Sequence, residues 1–408
     1  MSPRTALILS NLSASAFFPL TIFIIAPYLA LYFPDSETGL VVSLGAVITL
    51  LIFPFMPLLV RTYGTRKLAR MFTLALIFEL GWLAVSPSPI PAFLLIALML
   101  ATAPLLAYQL DLLLEATVEQ ENDTGRVRTL FLTVGSIAAV LSPLVVGLLL
   151  DSTEQYWKVF AVSALTLVPF LFLISFKCLP QGKTPQLVTM LQASLVLMSD
   201  RDLRGVVLSH GVLQFFYHTA PIFAALYLHH ILHIPWSTLG WMFTIMLIPY
   251  AVLEYPAGWL ADRKWGDKEM LLIGVILMGL GFAALALVDE NTTLLVITLV
   301  LLVSRIGAAL TEAMTEGHFF RRVSEADAST VGIFRMTRPI AALIGPLIGS
   351  ALLAVSNYQI LFLGTGLIIT ILGILAGRMI VDIAVPVVTV EVSSIDPSSE
   401  QDLPTVAA

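Results

Sequence analysis

Several ionisable side chains lie within long apolar stretches of the sequence, and two of them are the strongest candidates for a function. Arg305 lies near the middle of the stretch 293–314, and Asp111 lies in the stretch 91–118. An ionised group at the centre of a membrane helix costs about 2.5–3.5 kcal/mol or more, so each group requires a partner or a function. Arg305 could bind an anionic solute or a coupling carboxylate, or it could have a structural role in an ion pair or in contact with helix carbonyls. Asp111 could bind a proton or could be structural.

Polar side chains also recur at helical spacing in the stretch 203–228. They lie three to four residues apart and therefore share one face of a helix: His210, Gln214 and Tyr217. Tyr108 similarly shares a face with Asp111, and Asn11 lies in the first apolar stretch. Together with Arg305, these side chains predict the lining of a water-filled cavity. A hydrogen-bonded packing histidine is the alternative interpretation of His210.

The elements that hold these side chains are apolar helices. Of the 408 residues, 58% are hydrophobic and 12% are charged, whereas roughly 25% of the residues of a soluble protein are charged. A bilayer core of ~30 Å is crossed by about 20 apolar residues in a helix. Twelve stretches have that length and predict an all-α membrane protein in a lipid bilayer: 6–33, 39–60, 68–86, 91–118, 129–150, 157–178, 203–228, 238–261, 270–288, 293–314, 330–354 and 359–383.

The positions of the basic residues predict the orientation of these spans. With a cytoplasmic N terminus, all but two of the 21 lysines and arginines fall at cytoplasmic span ends, as the positive-inside rule requires. The exceptions are Lys158, on the opposite side, and Arg305 within its span. An error of one span would scatter the charges over both faces. We therefore expect a multi-pass protein of the cytoplasmic membrane with both termini in the cytoplasm.

Two loops that lie 202 residues apart have related sequences. Residues 54–66 and 256–268 match at a proline, an arginine, an aromatic residue, a glycine and a base. A proline in span 5 recurs in span 11 at an offset of 203 residues: Pro143 and Pro346. These matches predict two duplicated halves. We expect a first half over 1–178, a cytoplasmic linker over 179–202, a second half over 203–383 and a disordered cytoplasmic tail over 384–408.

At the second of these loops the chain resembles the major facilitator superfamily. The resemblance covers all twelve spans, and its most specific element is the signature loop, in which a glycine, an Asp-Arg pair, a second glycine and a base recur: Gly258, Asp262, Arg263, Gly266 and Lys268. The copy in the first half departs from this pattern, with Met56 in place of the glycine and Val60 in place of the aspartate. The resemblance implies twelve transmembrane helices in two pseudo-symmetric six-helix bundles around a central cavity, which spans 1, 4, 7 and 10 line.

The resemblance also implies that the signature loop acts as a cytoplasmic latch that stabilises one conformational state. Carboxylates at the end of span 10 and an arginine at the start of span 11 are its predicted partners: Glu312, Glu316 and Arg335. Plain anchoring of positive charge at the cytoplasmic face is the alternative interpretation.

From the resemblance we expect a secondary active transporter, not an enzyme, that moves a small organic solute by alternating access with proton coupling. Pro143 in span 5, which the drug–proton antiporters of the family also have at this place, favours export slightly. Uptake of a sugar or organic acid by the same fold is one alternative. A membrane receptor or assembly protein that transports nothing is the other.

Other classes of site find no support in the sequence. The P-loop-like residues 182–184 lack the first glycine of that motif, so no nucleotide site is expected. The single cysteine, Cys178, excludes an internal disulfide. We expect no cofactor, no metal and no nucleic-acid partner, but a monomer that binds a small-molecule substrate, protons and lipid. Three histidines after span 7 could bind a metal, although a solvated interface is the favoured interpretation: His229, His230 and His233.

Overall fold

The computed structural model describes residues 3–85, 88–117, 121–151, 153–175, 197–261, 266–323 and 328–381. Within these ranges the chain is almost entirely helical and contains no strand. The helices are α1 Pro3–Ile22, α2 Ile25–Ala30, α3 Asp35–Ile52, α4 Met56–Tyr63, α5 Thr65–Ala84, α6 Pro89–Thr117, α7 Glu121–Leu150, α8 Trp157–Ser175, α9 Arg201–Leu226, α10 Trp236–Leu260, α11 Gly266–Ala283, α12 Leu294–Arg322, α13 Ala328–Val355 and α14 Tyr358–Gly377.

Nine helical segments of the described ranges are long and apolar enough to cross a membrane. Shorter apolar helices at Leu9–Ile22 and Val134–Leu150 correspond to predicted spans 1 and 5. Helix α5 corresponds to predicted span 3, and its basic first turns lower its hydropathy. Large apolar side chains are exposed around the helices, as contact with lipid chains requires: Leu51, Phe78, Leu148, Leu165 and Leu287. The chain is a multi-pass membrane protein, and the count of twelve spans stays a prediction.

Helix contacts fall into two groups that follow the order of the chain. In the first group α1 packs on α7 and α8, α3 packs on α6, and α5 packs on α6 and α8. In the second group α9 packs on α12, α13 and α14, α10 packs on α12, and α11 packs on α12 and α14. The groups meet where α3 packs on α13, α7 on α10 and α2 on α9. The interface between the two groups is therefore formed by helices of both halves of the chain.

The crossing of α7 and α10 brings two backbones into direct contact. A Cβ atom added at Gly147 would lie 2.8 Å from the Trp236 carbonyl oxygen and 3.1 Å from the Gly240 Cα atom. A Cβ atom added at Gly240 would lie 2.7 Å from the Pro143 carbonyl oxygen. Small residues allow membrane helices to approach this closely. The contact joins the two halves near the start of α10.

The two related loops share an unusual backbone conformation. Gly64 and Gly266 are 202 residues apart in the sequence and have φ angles of 80° and 76°. This left-handed region favours glycine because a Cβ atom is strained there. Each glycine lies where a new helix begins, α5 and α11 respectively. The shared conformation at paired positions supports the predicted repeat.

Replacing Gly307 with valine is expected to destabilise the packing of α12 on α11. A Cβ atom at Gly307 would lie 2.2 Å from the Met278 backbone nitrogen and 2.5 Å from the Gly274 carbonyl oxygen, so the helices must separate. Overpacking of this kind costs about 1–3 kcal/mol. The midpoint of thermal unfolding in detergent should fall below that of Gly81→Val, because nothing lies within 4 Å of a Cβ atom at Gly81. Equal midpoints would contradict the backbone contact.

Candidate functional site

The carboxylate of Glu316 is the centre of a polar cluster formed by α9, α12 and α13. Its Oε1 atom accepts hydrogen bonds from Arg335 Nη1 at 2.9 Å and from Arg338 Nη2 at 3.5 Å. His210 Nε2 lies 3.7 Å from the same atom. Because one carboxylate oxygen serves two guanidinium groups, Glu316 can neutralise the charge of only one of them.

His210 is fully buried, and both of its ring nitrogens have partners. Nδ1 lies 2.7 Å from the Thr337 hydroxyl, which itself donates to the Phe334 carbonyl at 2.6 Å. The single hydroxyl hydrogen is therefore used, and His210 Nδ1 donates to Thr337. Nε2 is left to accept a hydrogen bond from the Gln214 amide at 3.2 Å. With Phe334 stacked on the imidazole at 4.1 Å, the arrangement is that of a hydrogen-bonded packing histidine.

A second line of polar groups leads from Glu312 into the interior of the second half. The Tyr217 hydroxyl donates to Glu312 Oε2 at 2.5 Å, and the Tyr217 ring lies 5.9 Å from the Tyr250 ring. Arg305 interacts electrostatically with Tyr250, and its guanidinium lies 4.6 Å over the Phe216 ring. No carboxylate of the described residues forms an ion pair with Arg305. A cation–π contact takes the place of the structural ion pair considered for this arginine.

Asp111 faces the Glu316 cluster from the first half of the chain. Its side chain is exposed on α6, and it lies close enough to Arg335 and Arg338 to act electrostatically on both. Tyr108, one turn earlier on α6, packs edge-on against Phe53 with ring centroids 5.3 Å apart. The two halves therefore present charges of opposite sign to the space between them.

Asn11 occupies a different place in the first half. It is buried on α1 and accepts a hydrogen bond from the Ser15 hydroxyl at 2.8 Å. A Cβ atom added at Gly135 would lie 3.4 Å from Asn11 Nδ2. The structure thus places Asn11 against α7, and its role in a cavity stays a prediction.

The predicted latch residues fall into three groups. Asp262 and Arg263 lie outside the described residues, and the other members of the signature loop lie in α10 or at the start of α11: Gly258, Gly266 and Lys268. Glu316 and Arg335 are paired with each other, as the latch requires, but they also face the interface between the halves. Glu312 lies one helical turn deeper and is hydrogen bonded to α9. Because Glu312 lies further from the end of α12 than Glu316 does, its carboxylate reaches Tyr217 of α9.

A buried network that the sequence did not predict lies at the end of α12. His318 is fully buried, with Nδ1 2.8 Å from Asp267 Oδ2 and Nε2 3.0 Å from Asp202 Oδ2. Arg321 also donates to Asp267, and Arg322 Nε lies 3.0 Å from Asp202. These five residues, the His318 network, tie the starts of α9 and α11 to the end of α12. The acidic first turns of α9 and α11 and the basic last turn of α12 are visible in the sequence and favour contacts at these helix ends. They do not show which residues become partners.

Another unpredicted set of contacts joins the two halves at the opposite end of α9. Asp35 lies at the start of α3, and its Oδ1 atom is 3.0 Å from His230 Nδ1. Its Oδ2 accepts a hydrogen bond from the Tyr358 hydroxyl at 2.5 Å. Because the aspartate belongs to the first half and its partners to the second, we call these three residues the Asp35 clasp. In the described part of the chain no group of three metal-ligating side chains occurs, at His230 or elsewhere.

Further contacts between the halves close the same end. Phe23 stacks on Phe243 at 4.8 Å, Tyr156 meets Trp236 edge-on at 6.1 Å, and the Ser43 hydroxyl donates to a carbonyl of α13 at 2.9 Å. Tyr156 lies just before α8, and burial at this closed end raises the pKa of its hydroxyl. The ion pairs around Glu316, in contrast, all lie within the second half. The described contacts thus hold the halves together at the Asp35 clasp, while Asp111 and Arg338 are exposed at the other end.

Replacing Glu316 with glutamine should destabilise the second half, because both arginines would lose their carboxylate partner. Hydrogen bonds to charged groups contribute about 1.5–3 kcal/mol. We expect a lower midpoint of thermal unfolding for Glu316→Gln than for Glu269→Gln, which removes an equal charge from an exposed position of α11. An unchanged midpoint would show that the arginines find other partners.

Comparisons with known proteins agree with this architecture. Residues 206–391 match the family model of the Major Facilitator Superfamily. No curated protein matches the chain in sequence. A mutant of the nucleoside transporter NupG has a similar structure, with a TM-score of 0.73 and 16% identity over 93% of this chain and 100% of that chain. A bacterial homologue of the human drug peptide transporters PepT1 and PepT2 has a TM-score of 0.68 and 14% identity, over 92% of this chain and 98% of that chain.

The family match covers a smaller part of the chain than the structural similarity does. The family model matches residues 206–391, which lie in the second half of the chain and include the signature loop. The solved structures share the fold over nearly the whole length, and at such low identities they show the fold alone. Residues 206–391 are therefore similar to the Major Facilitator Superfamily, and the all-helical chain with its apolar helices shares the fold of solved membrane transporters.

Proposed function

We propose that the chain is a secondary active transporter that carries a small organic solute across the cytoplasmic membrane by alternating access. One observation carries the proposal, namely the asymmetry between the two ends of the molecule. At one end the Asp35 clasp and its neighbours hold the halves together. At the other end, exposed Asp111 faces Arg335 and Arg338 across the interface. Closure at one end with charged groups accessible from the other is expected of one alternating-access state.

The proposal includes twelve spans in two six-helix bundles, with both termini in the cytoplasm. The two groups of helix contacts and the shared backbone conformation of Gly64 and Gly266 support this division. The bundles are residues 1–178 and 203–383, joined by the cytoplasmic linker 179–202 and followed by the tail 384–408. In this orientation the Asp35 clasp lies at the outer face, and the cavity opens toward the cytoplasm. Each chain encloses its own cavity, so a monomer is sufficient for transport.

We further propose that protons drive the cycle. Asp111 and Glu312 are carboxylates within helices that the sequence places in the membrane, and such carboxylates mark proton relays in transporters. The sequence contains no complete P-loop that would bind a nucleotide. Protonation and deprotonation of these carboxylates would couple a proton gradient to the movement of the solute.

A membrane receptor or assembly protein of the same fold is the second candidate. The first-half copy of the signature loop favours it, because Met56 and Val60 replace the glycine and the aspartate. A protein that no longer alternates between two states would have no use for that loop. The two candidates therefore differ in whether the closed end ever opens.

Cysteine reporters at the two ends test this difference. In a Cys178→Ser background, Ser43→Cys reports on the closed end, where Ser43 contacts α13. Ala107→Cys reports on the open end, because Ala107 is exposed one turn before Asp111 on α6. A membrane-impermeant maleimide should label the two positions from opposite sides, with rates that change reciprocally when the solute or proton gradient is reversed. Labelling of Ser43→Cys that never changes would favour the receptor.

Transport itself is measured in proteoliposomes with a panel of labelled organic solutes. We expect flux of at least one solute, with accumulation that an imposed proton gradient drives and a protonophore abolishes. The sign of the accumulation separates export, which the sequence favours, from uptake. Flux that is the same with and without a proton gradient would contradict the proposed proton coupling. The absence of flux, together with labelling rates of the cysteine reporters that never change, would contradict the proposal that the protein is a transporter.

A further inference from the structure

Arg338 is the less satisfied of the two arginines that share Glu316. Its Nη2 lies 3.5 Å from Glu316 Oε1, against 2.9 Å for Arg335, and its side chain is 46% exposed, against 22%. The neighbouring carboxylate, Glu312, is engaged by the Tyr217 hydroxyl at 2.5 Å. Two guanidinium groups thus share one carboxylate oxygen, and the charge that is not neutralised lies at Arg338, on the exposed side of the cluster.

The opposite wall of the same space presents the complementary charge. Asp111 is exposed and forms no ion pair in the part of the chain that the structure describes. It acts electrostatically on both Arg335 and Arg338 without contacting either. Because α6 belongs to the first half and α13 to the second, an exposed anion and an under-neutralised cation face each other across the interface.

We propose that the solute is a zwitterion that bridges these walls, with its anionic group on Arg338 and its cationic group on Asp111. The proposal rests on the proposed transport function and names the class of solute for the same cavity. A guanidinium forms charge-assisted and often bidentate hydrogen bonds with a carboxylate, and a carboxylate accepts hydrogen bonds from an ammonium group. Free amino acids and short peptides have both groups.

A bridging solute also explains how binding can act on the conformational equilibrium. A ligand shifts an equilibrium only when its affinity differs between the two states. A solute that touches both Asp111 and Arg338 is sensitive to the separation of the two walls, which alternating access changes. A solute bound to one wall alone would lack that sensitivity. Direct pairing of Asp111 with Arg338 on closure, without solute, is the competing account.

Matched probes test the need for both charges. Dialanine has two charges, N-acetyl-dialanine retains only the anion, dialanine amide retains only the cation, and uridine is neutral. Binding is measured by calorimetry and by thermal stabilisation of the purified full-length protein in detergent. The twenty common amino acids and their alanyl dipeptides extend the zwitterion panel to other sizes. We expect at least one zwitterion to bind at least tenfold more tightly than its two singly charged derivatives.

Two charge-removing variants should give a crossed pattern. Asp111→Asn is expected to lower affinity for the zwitterion at least tenfold while the affinity for its N-acetyl derivative stays the same. Arg338→Gln is expected to lower affinity for the zwitterion equally while the affinity for its amide stays the same. Misfolding would lower all affinities together, so the pattern is specific. Glu269→Gln, on an exposed position of α11, should change none of them.

Two results would overturn the proposal. One is the failure of every zwitterion in the panel to bind, whatever the other probes do. The other is zwitterion binding that neither variant alters, which is expected when Asp111 and Arg338 form a gate. The cysteine reporters separate these failures from that of the transporter itself. If Ser43→Cys and Ala107→Cys still exchange accessibility, transport stands and only the solute class falls.

Discussion

Replacing Asp35 with asparagine is expected to shift the molecule toward a state in which the end held by the Asp35 clasp is open. The carboxylate accepts the Tyr358 hydroxyl at 2.5 Å and lies 3.0 Å from His230 Nδ1. Hydrogen bonds to charged groups contribute about 1.5–3 kcal/mol, and each 1.4 kcal/mol is about a tenfold change in an equilibrium constant. The population open at this end should therefore rise roughly 10- to 100-fold.

The labelling rate of Ser43→Cys measures this shift directly. Ser43 lies two helical turns after Asp35 on α3, where its hydroxyl contacts α13 across the interface. Its rate of reaction with a maleimide should rise in proportion to the open population. Glu37→Gln is the matched control, since Glu37 is exposed in the same helical turn as Asp35. An equal labelling rate in Asp35→Asn and Glu37→Gln would show that the clasp does not hold this end closed.

The two bonds of the clasp should contribute unequally. Tyr358 is buried, whereas the His230 side chain is 49% exposed, and exposed ion pairs contribute little. Tyr358→Phe removes the hydroxyl but retains the ring that packs beside Tyr227 at 5.1 Å. We expect Tyr358→Phe to reproduce most of the effect of Asp35→Asn, and His230→Gln to reproduce only a small part. The reverse order would place the closing contact at the histidine.

Helical periodicity predicted the features that depend on one helix at a time. Spacing of three to four residues places His210, Gln214 and Tyr217 together on α9, and the first two are buried inside the second half. Such an inference needs only the rise and turn of a helix. The resemblance at the signature loop, in contrast, predicted that Glu316 and Arg335 are partners, and the two residues form an ion pair.

Contacts between residues that are far apart in the sequence could not be predicted from helical spacing. Asp35 and His230 are 195 residues apart, and nothing in the spacing of either residue selects the other. The sequence left the partner of Arg305 open, and its guanidinium lies over Phe216, which none of the alternatives had named. An aromatic ring in an apolar helix has no sequence pattern that distinguishes a cation-binding face from ordinary packing. Tertiary contacts decide such cases, and the local pattern does not contain them.

Replacing His318 with leucine should have the largest effect on stability of any substitution in the second half. The imidazole is fully buried between Asp202 and Asp267, at 3.0 Å and 2.8 Å. Leucine has a similar size but no hydrogen to donate, so two buried carboxylates would face each other across an apolar side chain. Removing one partner of a buried charged pair costs about 3–5 kcal/mol, and we expect a loss toward the lower end of that range because Arg321 and Arg322 stay paired with the two aspartates. The midpoint of thermal unfolding in detergent should fall accordingly.

Removing the carboxylates as well should restore much of the lost stability. In Asp202→Asn/Asp267→Asn/His318→Leu no buried charge is left without a partner, although Arg321 and Arg322 lose theirs at the more exposed edge of the network. Replacing a whole buried charged group with uncharged residues is often nearly neutral, whereas breaking it is not. We therefore expect the triple variant to unfold at a higher temperature than His318→Leu alone. A triple variant that is less stable than His318→Leu would show that the aspartates stabilise the fold chiefly through Arg321 and Arg322, and that leaving them without the imidazole costs little.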